Sequence, residues 1–300
     1  MNQALAWKNG QMLPFADLSL HVSDLGVVAG AAITEMARTF GHKPFRLAKH
    51  IQRLLKSCDE LGFSVRYSAA ELCSVAGEVV EANSKLIDPD RDLGIVVFVT
   101  AGSNTTYLGT ADLPHPTVAI HTFSLPFELW QPASQHGLSL VVPQRQQISA
   151  SSLPVHRKVR NRLHWWLADH EAAAQKPGSR ALLLDENGFV TETSNGCFYA
   201  VIDGEIVTPV DNVLDSMSRR IVEDAAISLG MKFTRRNIRT DKFSLMTAAF
   251  VSSTPFGVIP VRSINELEFE TSYTLVLELA EYWKSLTAVN PLQQIREASR

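Results

Sequence analysis

The residues best suited to do chemistry are a lysine, a glutamate and two groups of hydroxyl-bearing residues in the second half of the chain. Lys158 begins the segment Lys158-Val159-Arg160-Asn161-Arg162-Leu163, and Glu192 lies in Val190-Thr191-Glu192. The hydroxyls lie in Asp215-Ser216-Met217-Ser218-Arg219 and in Phe250-Val251-Ser252-Ser253-Thr254-Pro255. An amine can bond a carbonyl group, a carboxylate can hold a proton on a ring nitrogen, and hydroxyls at a helix start can bind phosphate. The set therefore predicts a site for a phosphorylated, electron-withdrawing cofactor.

Each of these residues also has an ordinary structural explanation. A lysine in a basic segment and a glutamate in a strand are usually solvated, and serines commonly cap helices. The prediction of a cofactor site therefore depends on the combination and the order of the residues.

The bulk composition favours small molecules as partners over nucleic acid or a membrane. The 300 residues, 45% of them hydrophobic, are enough for two domains with separate cores. A net charge of −3 gives no basic surface for nucleic acid, and no apolar run approaches a membrane span. The first ten residues lack a signal-peptide pattern, so we expect a cytoplasmic protein. The three cysteines and nine histidines form no disulfide framework or metal motif, and we expect no metal.

Hydrophobic periodicity predicts a first α+β domain over residues 1–123. Strands are predicted at 18–22, 33–40, 93–100 and 118–120, and helices at 47–61 and 69–82. Residues 124–136, with two prolines and no clear period, are predicted to be the linker.

The second domain is predicted to occupy residues 137–300. Its strands are predicted at 138–142, 181–184, 197–202 and 205–209, and its helices at 161–175 and 218–230.

The segments named above, with Asp24-Leu25-Gly26 and the stretch from Gly30 to Arg38, resemble the class IV aminotransferases. This pyridoxal-phosphate (PLP) family includes branched-chain aminotransferases, D-amino-acid transaminases and 4-amino-4-deoxychorismate lyases. The resemblance runs from Asn9-Gly10 to Pro260-Val261. It implies the two-domain fold type IV architecture, a D-amino-acid aminotransferase-like α+β fold with the cofactor in the interdomain cleft, and a homodimer.

The resemblance also implies roles for individual residues. Lys158 would form the Schiff base and move protons, and Glu192 would pair with the pyridine nitrogen. The remaining cofactor ligands would bind the phosphate, and they are Arg53, Met217, Ser218, Ser253 and Thr254.

The substrate side departs most from the family pattern. Thr34 replaces the usual aromatic residue, and Met36 replaces the threonine that the lyases use. Ala101 stands where D-amino-acid transaminases and lyases have an arginine, so Arg38 becomes the candidate ligand for a substrate carboxylate. Cys197 replaces the asparagine that usually follows the glutamate by five residues.

The function predicted first is transfer of an amino group between an amino acid, possibly branched-chain, and a 2-oxo acid. A lyase that releases pyruvate from 4-amino-4-deoxychorismate is the alternative, because Asn161-Arg162-Leu163 is the lyase form of this segment. A PLP-binding protein without turnover is a third.

Overall fold

The computed structural model describes residues 3–109, 115–271 and 274–298. The chain divides into two compact units. The first unit is Met1–Leu125 with Arg157–Asn161, and the second is Pro126–His156 with Arg162–Arg300. Five residues around Lys158 thus belong to the first unit although the second unit flanks them in sequence on both sides. None of the helices in the described ranges is long and apolar enough to cross a membrane.

The first unit is one antiparallel sheet with helices on one face. Its elements in chain order are β1 (Leu5–Lys8), β2 (Gln11–Pro14), α1 (Leu25–Val28), β3 (Ala32–Phe40), β4 (Lys43–Pro44), α2 (Leu47–Glu60), α3 (Ala69–Ser84), β5 (Leu93–Thr100), α4 (Thr105–Leu108) and β6 (Val118–Ser124). The strand order is β2-β1-β6-β5-β3-β4.

The alternation of side chains along β3 separates a core face from a partly exposed face. Ile33 and Ala37 point into the core that α2 and α3 form with β5 and β6. On the opposite face, Met36 on β3, Phe98 on β5 and His121 on β6 are only partly buried. At these three positions, therefore, this sheet face is partly accessible.

One prediction for this part of the chain is wrong. Residues 18–22 form no strand, and Val22 is 75% exposed, because the sheet edge is occupied instead by the hairpin of β1 and β2. The predicted linker contains a helix, α5 (Phe127–His136), with Pro132 inside it. This helix forms because the buried Phe127 and Ser134 anchor it within the second unit.

The second unit continues from α5 with a larger mixed sheet. Its remaining elements are β7 (Leu138–Val141), α6 (Leu163–Gln175), β8 (Arg180–Leu184), β9 (Val190–Thr193), β10 (Gly196–Ile202), β11 (Glu205–Thr208), α7 (Met217–Ser228), β12 (Phe233–Arg235), β13 (Met246–Ser253), β14 (Gly257–Ile264), β15 (Leu267–Glu268), α8 (Thr274–Thr287) and α9 (Pro291–Glu297). The strand order is β12-β11-β10-β13-β14-β7-β8-β9. An additional pairing of β9 with β10 closes six of these strands into a ring.

This ring places the hydroxyl-bearing residues beside one another. Cys197 on β10 lies opposite Glu192 on β9 and opposite Ser252 on β13. The helix α7 packs against β13, which brings its first residues to the same region of the second unit. The sequence elements that carry chemistry are thus neighbours in space.

Candidate active site

Arg53 is held by a buried carboxylate of the first unit. Arg53 on α2 donates through Nε to Oε1 of Glu35 at 2.6 Å and through Nη2 to Oε2 at 2.7 Å. His50, one turn earlier on α2, contacts the same carboxylate, with Nδ1 2.8 Å from Oε2. Glu35 is 1% exposed. The bidentate contact fixes the plane of the guanidinium group.

This cluster has a defined charge state. Burial alone would raise the pKa of Glu35, but the hydrogen bond from His50 and the charge of Arg53 outweigh it and lower the pKa to about 2. Burial lowers the pKa of His50, against the opposing effect of Glu35. At neutral pH, therefore, an ionised Glu35 holds a neutral His50 through the proton on Nδ1. Nε2 of His50 is buried and has no hydrogen-bond partner within the described residues.

Lys158 lies on a short strand-like segment at the edge of β3. Val159 forms an isolated antiparallel bridge with Ile33, in which Thr34 N donates to Lys158 O at 3.0 Å and Arg160 N donates to Ala32 O at 2.7 Å. The charge of Lys158 contributes to lowering the pKa of His50, so the amine is within electrostatic reach of the cluster on α2.

The segment is attached at both ends. Arg157 forms an ion pair with Glu60 at the end of α2. At the other end, the side chain of Asn161 lies against Gly30, where an added Cβ would come within 3.5 Å of it. Gly30 has a φ of +64°, which favours glycine. These contacts explain why residues 157–161 belong to the first unit.

Three of the four predicted substrate residues surround this edge. Thr34 is buried and donates its hydroxyl to Val97 O at 3.2 Å, which fixes its side chain. Met36 is partly buried on the same face of β3. Ala101 follows β5, and its N–H donates to Ala31 O at 3.0 Å.

The fourth, Arg38, is placed differently from its prediction. It is 0% exposed, and it donates through Nη2 to Asp92 Oδ2 at 3.1 Å and through Nε to Thr39 O at 2.8 Å. Its guanidinium group also lies over the Phe40 ring. A fully buried arginine with a carboxylate partner is a structural group, so Arg38 is not available to bind a substrate carboxylate. The sequence pattern could not reveal Asp92 as its partner.

Glu192 lies on β9 in the second unit and is partly exposed. Its Oε1 accepts from Leu214 N at 3.3 Å. Glu192, Cys197 and Arg219 line the same narrow pocket. Burial raises the pKa of the Cys197 thiol, and the charge of Glu192 adds to that effect. Cys197 is thus a neutral, buried neighbour of the carboxylate.

A chain of buried hydroxyls runs from the start of α7 into the second unit. Ser216 Oγ lies 2.9 Å from Ser218 Oγ, Ser252 Oγ donates to Ser218 Oγ at 3.0 Å, and Tyr199 OH lies 2.9 Å from Ser252 Oγ. Ser218 was predicted from sequence, whereas Tyr199 was not. Tyr199 is seven residues beyond Glu192, and only the pairing of β10 with β13 shows its place in the chain.

The start of α7 suits a phosphate group. Ser216 is the N-cap, but its side chain makes no capping hydrogen bond, so the first backbone N–H groups at Met217 and Ser218 have no side-chain acceptor there. Ser253 Oγ and Arg219 Nε are both buried without a hydrogen-bond partner among the residues described. Thr254, next to Ser253, is 9% exposed. Helix N-terminal amides, hydroxyls and an arginine are the donors that bind a phosphate, so these residues fit a phosphorylated cofactor.

These donors fit a phosphorylated cofactor, and comparison with known proteins identifies the family. Residues 32–264 match the family Amino-transferase class IV. The chain belongs to this family.

Curated relatives and solved structures agree with this assignment. The chain is 24% identical over 260 residues to a probable branched-chain-amino-acid aminotransferase of Rickettsia felis, covering 86% of each protein. It is 26% identical to a D-alanine aminotransferase of Bacillus licheniformis, covering 86% of the chain and 87% of that protein. The structure of a branched-chain aminotransferase from Thermoproteus uzoniensis with norvaline superposes with a TM-score of 0.85 at 23% identity, covering 95% of both chains.

These findings confirm the predicted family, the α+β fold type IV architecture, the PLP cofactor and the enzymatic transfer of amino groups. The named relatives are aminotransferases, so the lyase alternative is not favoured. Membership of an enzyme family also weighs against a binding protein without turnover.

Proposed function

We propose that this class IV aminotransferase moves amino groups between branched-chain L-amino acids and their 2-oxo acids, with Lys158 as its catalytic amine. The relatives from Rickettsia felis and Escherichia coli, named as branched-chain aminotransferases, support the substrate class. The apolar side chains of Met36 and Phe98, beside Thr34 on the partly exposed face, support it as well, because they could pack against an aliphatic side chain.

The observation that carries the assignment of Lys158 is its place on the bridged edge of β3. Two backbone hydrogen bonds hold the segment there, and the buried Glu35, His50 and Arg53 lie within electrostatic reach. Bound PLP supplies an aldehyde that bonds amines and a ring that withdraws electrons from the substrate Cα. Lys158 would take the proton from the substrate Cα and would deliver a proton to C4′ of the cofactor.

The other predicted ligands have supporting geometry. The Glu192 carboxylate would hold a proton on the pyridine nitrogen. Arg53 would bind the phosphate in the orientation that Glu35 fixes, and the hydroxyls and N–H groups would donate to the phosphate oxygens. These donors belong to Met217, Ser218, Ser253 and Thr254.

The test is an absorbance titration of the purified protein. Addition of PLP should produce a band near the visible region, and L-leucine, L-valine or L-isoleucine should convert it to the band of the amino form of the cofactor. The Lys158→Ala variant should bind PLP without the lysine-dependent band. A wild-type protein that binds PLP but reacts with none of the three amino acids would refute the substrate proposal.

A second candidate is D-amino-acid transamination, which the Bacillus licheniformis relative favours. The absence of an arginine at Ala101 speaks against it, because the sequence resemblance places an arginine there in D-amino-acid transaminases. Conversion of the band by D-alanine and not by L-leucine would select this candidate.

The homodimer and the cytoplasmic location stay predictions. Light scattering on the protein as it elutes from a size-exclusion column would test the homodimer, and cell fractionation would test the cytoplasmic location.

A further inference from the structure

We propose that Arg160 binds the substrate carboxylate, a role for which Arg38 was the candidate from sequence. This inference rests on the proposed function, since it concerns the same substrate. It begins from a missing ligand: Ala101 has no charge, and Arg38 is buried against Asp92. A guanidinium group matches a planar carboxylate with two parallel hydrogen bonds, so another arginine near Lys158 is a candidate for the carboxylate that amino acids and 2-oxo acids share.

Arg160 lies on the same side of the polypeptide as Lys158. The two residues flank Val159, whose bridge partner Ile33 points into the core. Side chains alternate along an extended segment, so Lys158 and Arg160 both project to the face opposite Ile33. Their Cα atoms are about 7 Å apart in such a segment. The α-carboxylate is only two bonds from the amino nitrogen that reacts, so the spacing suits one substrate.

Contacts of the guanidinium group confirm this face. Its carbon lies 5.7 Å from the centroid of the Phe98 ring, and Phe98 pairs with Thr34 across β3 and β5. The charge of Arg160 also contributes to lowering the pKa of His121, on the next strand of the same face, after the effect of burial. Arg160 thus lies beside the residues proposed to contact the substrate.

The charge of Arg160 has no carboxylate partner within ion-pair distance among the described residues. The charged residue next to Arg160 on its own face of the segment is Lys158. Glu35 projects to the opposite face of β3, together with Ile33. Arg160 is an exposed residue, yet burial around its guanidinium group lowers its pKa. A partly desolvated guanidinium without an acidic partner is a strong site for a planar carboxylate.

The experiment compares Arg160→Met and Arg160→Lys with the wild-type holoenzyme. The wild type is first assayed with the amino-acid panel, which tests the proposed substrate class independently and selects the best substrate for the comparison. With that substrate, Arg160→Met should raise KM about ten- to a hundredfold, as loss of a charged hydrogen bond does. Arg160→Lys should recover part of the lost affinity, because lysine keeps the positive charge but cannot donate the two parallel hydrogen bonds of a guanidinium group.

Two further measurements separate carboxylate binding from a structural role. Binding of 4-methylvaleric acid, which has no amino or oxo group, should weaken by the same factor in calorimetry of the Arg160→Met holoenzyme. Binding of isoamylamine, which lacks a carboxylate, should be unchanged in the same calorimetry. Arg66→Met is the matched control, because Arg66 is an exposed arginine over the ring of Tyr67 and is remote in sequence.

The outcomes are decisive in either direction. Equal losses for L-leucine and L-glutamate assign Arg160 to the α-carboxylate and support the proposal, whereas a loss for L-glutamate alone would assign it to a side-chain carboxylate and overturn the proposal. Unchanged KM and unchanged 4-methylvaleric acid binding would overturn it. An equal loss with isoamylamine would also overturn it, because that loss cannot come from a carboxylate.

Discussion

Replacement of Glu35 by glutamine should destabilise the first unit by an amount that depends on pH. Glutamine keeps the shape of the side chain and removes only the charge that holds Arg53 and His50. The lowering of the Glu35 pKa from 4.5 to about 2 corresponds, at ~1.4 kcal/mol per pKa unit, to ~3 kcal/mol of stability at pH 7. Removal of one partner from a buried pair has an effect of similar size, about 3–5 kcal/mol.

The sign of the pH dependence follows from the direction of the pKa change. A carboxyl group with a lowered pKa in the folded state contributes its full stability above pH 4.5 and loses it as the pH falls towards 2. At pH 3 roughly 1 kcal/mol of the contribution remains, so the difference between wild type and Glu35→Gln should shrink by roughly 2 kcal/mol between pH 7 and pH 3.

Urea unfolding at the two pH values, followed by far-UV circular dichroism and by amide hydrogen exchange in α2, measures both quantities. Glu78→Gln on α3 is the control, because Glu78 is exposed, and it should change stability by less than about 0.5 kcal/mol. A Glu35→Gln variant as stable as Glu78→Gln at pH 7, or a difference that does not change with pH, would refute the reasoning.

Three further predictions follow from single sites. Lys158→Ala should lower the rate of amino transfer by about a thousandfold or more while circular dichroism stays unchanged, because the proton carrier is lost and the fold is not. Asn83→Leu should lower the free energy of unfolding by about 1–3 kcal/mol, because the buried Asn83 amide bonds the backbone of Leu5 at 2.7 and 2.8 Å and the hydroxyl of Thr122 at 2.7 Å. Burial raises the pKa of the Cys58 thiol to about 12, so it should not react with a disulfide reagent at pH 8 in the native protein and should react after denaturation.

Each of these has a clear contrary result. Activity of Lys158→Ala within tenfold of wild type would remove the lysine from the proposed chemistry. An Asn83→Leu protein with an unchanged urea midpoint would mean that its hydrogen bonds are replaced. Rapid native-state labelling of Cys58, identified by peptide mapping, would contradict its burial.

The elements with strong hydrophobic periodicity were predictable from sequence, because the pattern of buried side chains lies within each element's own residues. The strand at 93–100 has the predicted bounds, and α2 ends one residue before the prediction. In residues 18–22, apolar and polar side chains alternate as in a strand, but these residues pair with no strand in the part of the chain that the structure describes. By contrast, β1 pairs with both β2 and β6. Strand pairing depends on segments that are distant in sequence, and the periodicity of one segment does not show which other segment it pairs with.

The candidate site was predictable where residue types are distinctive and not where roles depend on partners. Lys158, Glu192 and Ser218 were singled out by their types, their order and the resemblance of their segments to the family. Arg38 has the same type as Arg160, and only the position of Asp92 shows which of the two is structural. His50 contacts Glu35 and Tyr199 contacts Ser252, so their places became visible only with the fold.

The return of residues 157–161 to the first unit has a consequence for how the protein folds during synthesis. Residues 1–125 leave the ribosome before this segment does, and until it arrives the outer edge of β3 near Ile33 lacks its bridge to Val159. An uncovered strand edge is a template for pairing with other chains. The segment that carries the candidate catalytic lysine therefore also covers an aggregation-prone edge, and fragments that stop at residue 125 should be less soluble than those that extend beyond Asn161.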